Sequence, residues 1–116
     1  MTRSAFAALA ILLAVPASAV AHHGWGTYDA GKATALEGVV QTVRWRNPHI
    51  EADMRSGGKV WTVVLGPVPR VAARGLSTEQ LKPGAALRVT GYPRKDGTPE
   101  IRAERITVAG MTVEMR

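Results

Sequence analysis

The chain contains three histidines, and two of them, His22 and His23, are adjacent. The third, His49, follows the dipeptide Asn47-Pro48. A histidine at the first position of a chain can chelate one metal ion through its α-amine and a ring nitrogen, because metal binding displaces the amine proton. Sites rich in nitrogen donors favour Cu(II) over harder ions. These residues therefore predict a copper site if processing makes His22 the first residue.

Residues 1–21 have the composition of a secretory signal peptide. Arg3 gives the start a positive charge, residues 5–15 are all apolar, and small residues follow at 17–21. Pro16 ends the apolar run well short of the roughly 20 residues that cross a bilayer. We therefore expect a cleaved signal, a periplasmic or secreted protein, and no membrane span after cleavage.

Two positions satisfy the small-x-small pattern of signal cleavage. Cleavage after Ala21, which the sequence favours, leaves His22 first, whereas cleavage after Ala19 leaves Val20-Ala21-His22 at the start. In the second case the free amine and a histidine in third position chelate Cu(II) or Ni(II) together with two backbone amide nitrogens. Both cuts therefore predict a terminus that can bind copper.

The rest of the metal site depends on the fold. His23 or His49 would complete the coordination if the domain brings the N-terminus over residues 48–49. The alternative is a solvated pair of terminal histidines and a His49 that caps a bend. Under that alternative the protein is a metal-free structural or interaction domain, and its partner is another periplasmic protein or ligand rather than a metal ion.

The charge pattern bears on nucleic-acid binding. The chain has 15 Lys+Arg against 9 Asp+Glu, a net charge of +6, or +5 without Arg3, and the two signs are interspersed. Proteins that bind single strands combine clustered basic residues with exposed aromatic rings, and this chain has few of either feature. Nucleic acid is therefore not an expected partner. The arginines predict either an anion-binding groove or an arginine-rich soluble surface: Arg44, Arg46, Arg55, Arg70, Arg74, Arg94, Arg102 and Arg105.

Residue types also restrict the chemistry. The chain contains no cysteine, which excludes a disulfide, a thiol nucleophile and a lipid-anchoring cysteine. We recognise no phosphate-binding glycine loop and no Ser/His/Asp arrangement in the sequence. The expected protein is a binding module rather than an enzyme.

The hydrophobic pattern divides the mature chain into two parts. Residues 22–35 lack periodicity and predict an extended N-terminal segment, and residues 36–116 predict one small domain. Alternating or continuous apolar residues in this domain predict β-strands at 36–45, 49–54, 60–65, 87–92, 100–108 and 111–115. Asn47-Pro48 is expected to bend or bulge the first strand, because proline lacks a ladder donor. A change of parity between 103 and 106 predicts a bulge in the fifth strand.

Short helical turns are predicted between the third and fourth strands. One covers 69–73 and ends near Gly75, and the other begins at Ser77 with a capping box to Gln80. This element order is typical of a five-stranded Greek-key barrel of the OB type, so the predicted fold class is all-β, with a small open β-sandwich as the alternative. The predicted core contains Trp45, Trp61, Val63, Leu65, Leu87, Val89, Ile101 and Ile106.

The second strand and the N-terminal segment supply a candidate ligand face. Alternation places His49, Glu51 and Asp53 on one face of the strand, either as a His/carboxylate site or as an ordinary solvated face. Trp25 and Tyr28 either anchor the N-terminal segment on the barrel or form an exposed binding platform. The candidate ligand face comprises Trp25, Tyr28, Arg44, Arg46, Glu51 and Asp53.

Short motifs run through the whole mature chain. They are His-His-Gly-Trp at 22–25, Leu-x-Gly-x-Val at 36–40 and Trp-x-Asn-Pro-His at 45–49, with further segments at 74–76, 81–84, 91–93 and 102–106. In these motifs the sequence resembles a group of small exported bacterial proteins of unknown function. The resemblance implies export and a β-barrel domain, and it implies no substrate or catalytic residue.

Overall fold

The computed structural model describes residues 24–116, so the predicted signal peptide and the pair His22 and His23 lie outside the described residues. Within residues 24–116 the chain forms six strands, one α-helix and one 3-10 turn. The strands are β1 (Thr34–Arg44), β2 (Glu51–Ser56), β3 (Lys59–Val64), β4 (Ala86–Pro93), β5 (Glu100–Val108) and β6 (Met111–Glu114). The helix is α1 (Val68–Ala73), and the 3-10 turn is Trp25–Thr27.

The strands close into a barrel. β1 pairs antiparallel with β2 and β4, β2 pairs with β3, and β4 pairs with β5. β3 and β5 then pair in parallel, with Thr62–Val64 opposite Glu100–Arg102, and this pairing completes the ring. β6 extends the sheet beyond β5. The predicted all-β, OB-like barrel with five strands in its wall is confirmed.

The core follows the alternation of the strands. Ile50, Ala52 and Met54 are fully buried, whereas Glu51 and Asp53 between them are only partly so, which confirms the predicted faces of β2. The buried cluster joins all six strands to α1 and to the turn that follows it.

Six of the eight predicted core residues are buried, and the prediction is wrong for Trp45 and Trp61. Both tryptophans are partly buried and pack against the margin of the core. Trp45 lies in the loop after β1. Trp61 shares the core-facing side of β3 with Val63 but lies nearer the start of the strand, where the Lys59 ammonium is 5.0 Å from its ring centroid.

The predicted bend at Asn47-Pro48 is a full chain reversal. Arg44 pairs with Glu51, so that residues 45–50 connect two antiparallel strands, and the Asn47-Pro48 peptide is cis. Because proline cannot donate to a ladder, the strand ends here instead of continuing through a bend. The backbone N–H of Val68 donates to Asn47 Oδ1 at 2.9 Å, which ties this loop to the start of α1.

Of the two predicted helical turns, the first forms α1, which is followed by Gly75 with φ at 92°. The second is a hydrogen-bonded turn. Gln80 Oε1 accepts from the Ser77 backbone N–H at 2.8 Å, so the capping interaction exists, although Lys82-Pro83-Gly84 prevents a helix from continuing.

Two glycines allow neighbouring strands to approach closely. A Cβ atom at Gly38 would lie 2.1 Å from the Arg55 carbonyl oxygen, and one at Gly91 would lie 2.1 Å from the Arg102 carbonyl oxygen. Gly91 also borders a register shift, because Thr90 pairs with Arg105 while Gly91 pairs with Ala103. The predicted bulge in β5 is confirmed, and it increases the local curvature of the barrel wall.

Candidate functional site

The N-terminal segment is fastened to the loop between β4 and β5. Tyr28 forms an isolated bridge with Arg94, and the Asp29 N–H donates to the Pro93 carbonyl at 2.8 Å. The Lys95 N–H donates to the Thr27 carbonyl at 3.0 Å. These backbone bonds fix the direction from which the chain enters the barrel.

The side chain of Tyr28 strengthens this attachment. Tyr28 is 6 % exposed, and its hydroxyl donates to Glu100 Oε2 at 2.7 Å. Burial, followed by the hydrogen bond and the charge of Glu100, raises the pKa of Tyr28 to about 12. The phenol therefore remains a protonated donor at neutral pH, and it holds the segment against β5.

Trp25 forms the centre of a cationic surface that we call the N-terminal patch: Trp25, His49, Tyr92, Arg102 and Arg116. The guanidinium carbons of Arg102 and Arg116 lie 4.4 Å and 4.1 Å from the Trp25 ring centroid. Tyr92 packs edge-on against the same ring, at 6.2 Å between centroids. These distances are within the range of cation–π and aromatic contacts.

His49 joins the patch through Arg102. The Arg102 Nη2 and His49 Nε2 atoms are 3.2 Å apart. Because a guanidinium group only donates, His49 Nε2 is the acceptor in this contact. Trp25, Arg102 and His49 therefore form a contiguous row, although they come from the N-terminal segment, β5 and the β1–β2 loop.

The remaining members of the candidate ligand face form a separate network on the outside of β1 and β2. Arg44 donates through Nε to Glu51 Oε2 at 3.0 Å, and through Nη1 and Nη2 to the two Asp53 oxygens at 2.7 and 3.0 Å. Thr42 Oγ1 donates to Asp53 Oδ2 at 2.6 Å. Arg46 is exposed in the β1–β2 loop. The candidate ligand face is thus divided, and Arg44 pairs with both of its carboxylates, in bidentate fashion with Asp53 and through one bond with Glu51.

Metal-ligating side chains are sparse in the part of the chain that the structure describes. No group of three His, Cys, Asp or Glu residues there could hold a metal ion. The predicted metal ligands His22 and His23 lie outside this part of the chain.

Six of the eight candidate arginines fall into two groups. Arg44, Arg94 and Arg105 are in ion pairs with acidic side chains. Arg70, Arg74 and Arg102 instead meet Arg116 around one pocket beside the N-terminal patch. Arg70, Arg74 and Arg102 are among the arginines that the sequence predicts for an anion-binding groove. The sequence does not distinguish them from the other candidates.

The sequence profile of a family of unknown function, DUF6152, matches residues 9–102, which is most of the chain. The protein belongs to DUF6152. The expected membership of an uncharacterised family is therefore confirmed at this level. Curated proteins give no match to the chain.

The DUF6152 match includes Trp25, His49 and Arg102 of the N-terminal patch and ends before Arg116. It also includes the ion-pair network of Arg44 on the outer face of the barrel. Among residues 24–116 of this DUF6152 protein, no helix has the length and apolar character needed to cross a membrane.

The Asp53 network gives this DUF6152 protein a specific acid sensitivity. Hydrogen bonding to Arg44 lowers the pKa of Asp53 from 3.8 to about 2. A carboxyl group with a lowered folded-state pKa contributes stability above its unfolded pKa and loses it as the pH falls. With the 26 % exposure of Asp53 taken into account, we expect about 1 kcal/mol to disappear between about pH 4 and pH 2.

Urea unfolding of the wild type and Asp53→Asn across this pH range would measure the contribution. The variant should be less stable at neutral pH and should show a shallower fall in free energy of unfolding towards pH 2. Glu79→Gln, at an exposed carboxylate in the turn after α1, is the control and should retain the wild-type slope. An Asp53→Asn slope equal to that of the wild type would refute the assignment.

Proposed function

We propose that this DUF6152 protein is an exported copper-binding module, and that its processed N-terminus chelates Cu(II) through the α-amine and His22. It acts as a binder rather than as an enzyme. The observation that carries the proposal is the fixed position of Trp25, which lies beside Arg102 and, through it, beside His49.

The short distance along the chain supports a shared site. His22 and His23 precede Trp25 by three and two residues, and a chain extends at most about 3.5 Å per residue. Their backbones therefore start within about 11 Å of the Trp25 backbone. The Trp25 ring is separated from His49 by a single guanidinium group. A terminal imidazole can therefore reach far enough to bind the same metal ion as His49.

The donor set suits copper. An amine and two or three imidazoles supply the nitrogen-rich, tetragonal coordination that favours Cu(II). If the signal is cut after Ala19, the same ion is held by the amine, two backbone nitrogens and His22. The proposal therefore holds for either cut, and His49 is a further ligand only in the arrangement that begins with His22.

Arg102 acts against the metal in this arrangement. Its guanidinium donates to the Nε2 atom that His49 would offer to copper, and its charge repels a dication. Coordination by His49 therefore requires Arg102 to leave that nitrogen. It follows that His49 stabilises the bound ion less than the terminal chelate does.

Titration of the exported, untagged protein with Cu(II) tests the proposal, with intact mass used to locate the cleavage site. His22→Ala removes a ligand under either cut, so we expect the affinity to fall by about tenfold or more, or about 1.4 kcal/mol. His49→Gln is the matched histidine variant and should have a smaller effect. Equal Cu(II) affinity in the wild type and His22→Ala would refute the proposal and leave a metal-free interaction domain.

Arg102→Gln is expected to change the Cu(II) affinity in the opposite direction to the histidine variants. If His49 joins the copper site, removal of this guanidinium takes away a hydrogen-bond donor that competes for Nε2 and lowers the positive potential, so the Cu(II) affinity should rise. An unchanged affinity would show that copper is bound by the terminal chelate alone.

A further inference from the structure

A pocket of about 400 Å³ opens between α1, β5 and the residues that follow β6. Four arginines from distant parts of the sequence line it: Arg70, Arg74, Arg102 and Arg116. Trp25, Leu65 and Met115 supply apolar walls. The volume lies in the range of small-molecule sites, about 300 to 1,000 Å³.

Among residues 24–116, no acidic side chain forms an ion pair with the arginines of this pocket. No acidic residue lines the pocket, and among residues 24–116 none of the four guanidinium groups has a carboxylate oxygen within 4 Å. The neighbouring carboxylates have other partners, since Glu114 pairs with Arg105 and Glu104 accepts from the Tyr92 hydroxyl. Like charges that share a pocket repel one another, so the arrangement favours a bound anion.

Three of the arginines are positioned by contacts that leave their charge in place. Arg74 donates to the backbone carbonyl of Glu114, and Arg102 donates to Nε2 of His49. Arg102 and Arg116 both lie against Trp25. A carbonyl oxygen, an imidazole lone pair and an indole ring all orient a guanidinium group without cancelling its charge. The fold therefore presents several cations in fixed positions before any ligand arrives.

We propose that this pocket binds a small, multiply charged oxyanion that carries phosphate or carboxylate groups. Guanidinium groups bind both chemistries through paired N–H···O bonds, and three or four of them can engage separate oxygens of one ligand. The site lies beside the N-terminal patch and is formed by residues of α1, Arg74, β5 and residues 115–116. It requires neither His22 nor a metal ion, so it stands or falls separately from the copper proposal.

Calorimetric titration of the exported, metal-free protein at low salt tests this site. The probes are inorganic phosphate and citrate, with chloride at matched ionic strength as the reference. We expect a dissociation constant below about 1 mM for at least one probe. Arg70→Gln and Arg102→Gln should each weaken it by about tenfold, because each removes a charged hydrogen-bond donor. Arg55→Gln, at an exposed arginine on β2, removes the same charge elsewhere and should bind like the wild type.

Thermal unfolding is a second test, because arginines with a purely structural role would not give the following pattern of melting temperatures. Without anion, Arg70→Gln should melt at a higher temperature than the wild type, because one repelling charge is gone. With phosphate or citrate, the wild type should gain more thermal stability than the variant.

Binding of phosphate alone assigns a phosphate-bearing ligand, and binding of citrate alone assigns a carboxylate-bearing one. The site is refuted if neither probe binds, or if Arg55→Gln weakens binding as much as the pocket variants do. His22→Ala should retain anion binding, which separates the result from that of the copper titration.

Discussion

Gly91→Ala is expected to lower the free energy of unfolding by about 3 kcal/mol or more. The added Cβ would lie 2.1 Å from the Arg102 carbonyl oxygen, 2.9 Å from its carbonyl carbon and 3.0 Å from the Ala103 Cα. All three atoms are backbone, so no side chain can rotate to make room. β4 and β5 must separate at the bulge, and this part of β5 is also the one that pairs with β3 to close the barrel.

Chemical denaturation followed by circular dichroism measures this loss. Gly26→Ala is the matched control, because a Cβ at Gly26 meets nothing within 4 Å and should change stability by no more than about 0.5 kcal/mol. If Gly91→Ala were as stable as Gly26→Ala, the close approach of β4 and β5 would be wrong. Since Arg102 is on the displaced strand, a folded Gly91→Ala protein should also show altered fluorescence from Trp25.

The features of the fold that were predictable from sequence are those with a local signal. Burial alternates with a period of two, so the residues from Ile50 to Met54 identify the two faces of β2 without knowledge of the partner strands. The bulge in β5 has a similar local cause, a change of parity between Ala103 and Ile106. The order of strands around the short α1 helix was sufficient to indicate an OB-like barrel.

Features of the fold that depend on which strands pair were harder to predict from the sequence. Asn47-Pro48 indicates the end of a ladder, but a bend and a reversal have the same local sequence, and only the pairing of Arg44 with Glu51 distinguishes them. The exposure of Trp61 depends on where its large ring falls relative to the end of the barrel. No local pattern contains that information.

The candidate site was also only partly predictable from the sequence, because its contacts join residues that are far apart in the chain. Trp25, Tyr28 and His49 could be singled out by residue type, but Arg102, which joins Trp25 to His49, lies 53 positions from the histidine. Glu51 and Asp53 are attractive ligands in isolation. The hairpin brings Arg44 next to them, and both carboxylates form ion pairs with it.

Blocking the N-terminal amine is expected to weaken Cu(II) binding by about 100-fold or more, which is about 2.7 kcal/mol. In the proposed site, the amine is the donor that both possible cleavage products share. With His22 first, it closes a chelate ring with the imidazole, and with Val20 first it begins a chelate that includes two backbone nitrogens. A retained N-terminal tag removes the donor in either case, while His22, His23 and His49 all remain. The loss should therefore exceed that of a single histidine substitution.

The most direct measurement is a paired Cu(II) titration of one protein, with the N-terminal tag retained and with the chain processed to its natural terminus as verified by intact mass. We expect one tightly bound equivalent of copper in the processed chain, with a visible absorption band typical of nitrogen coordination, and only weak binding in the tagged chain. Equal affinity in the two forms, at the level of an unrelated histidine-containing peptide, would contradict this expectation.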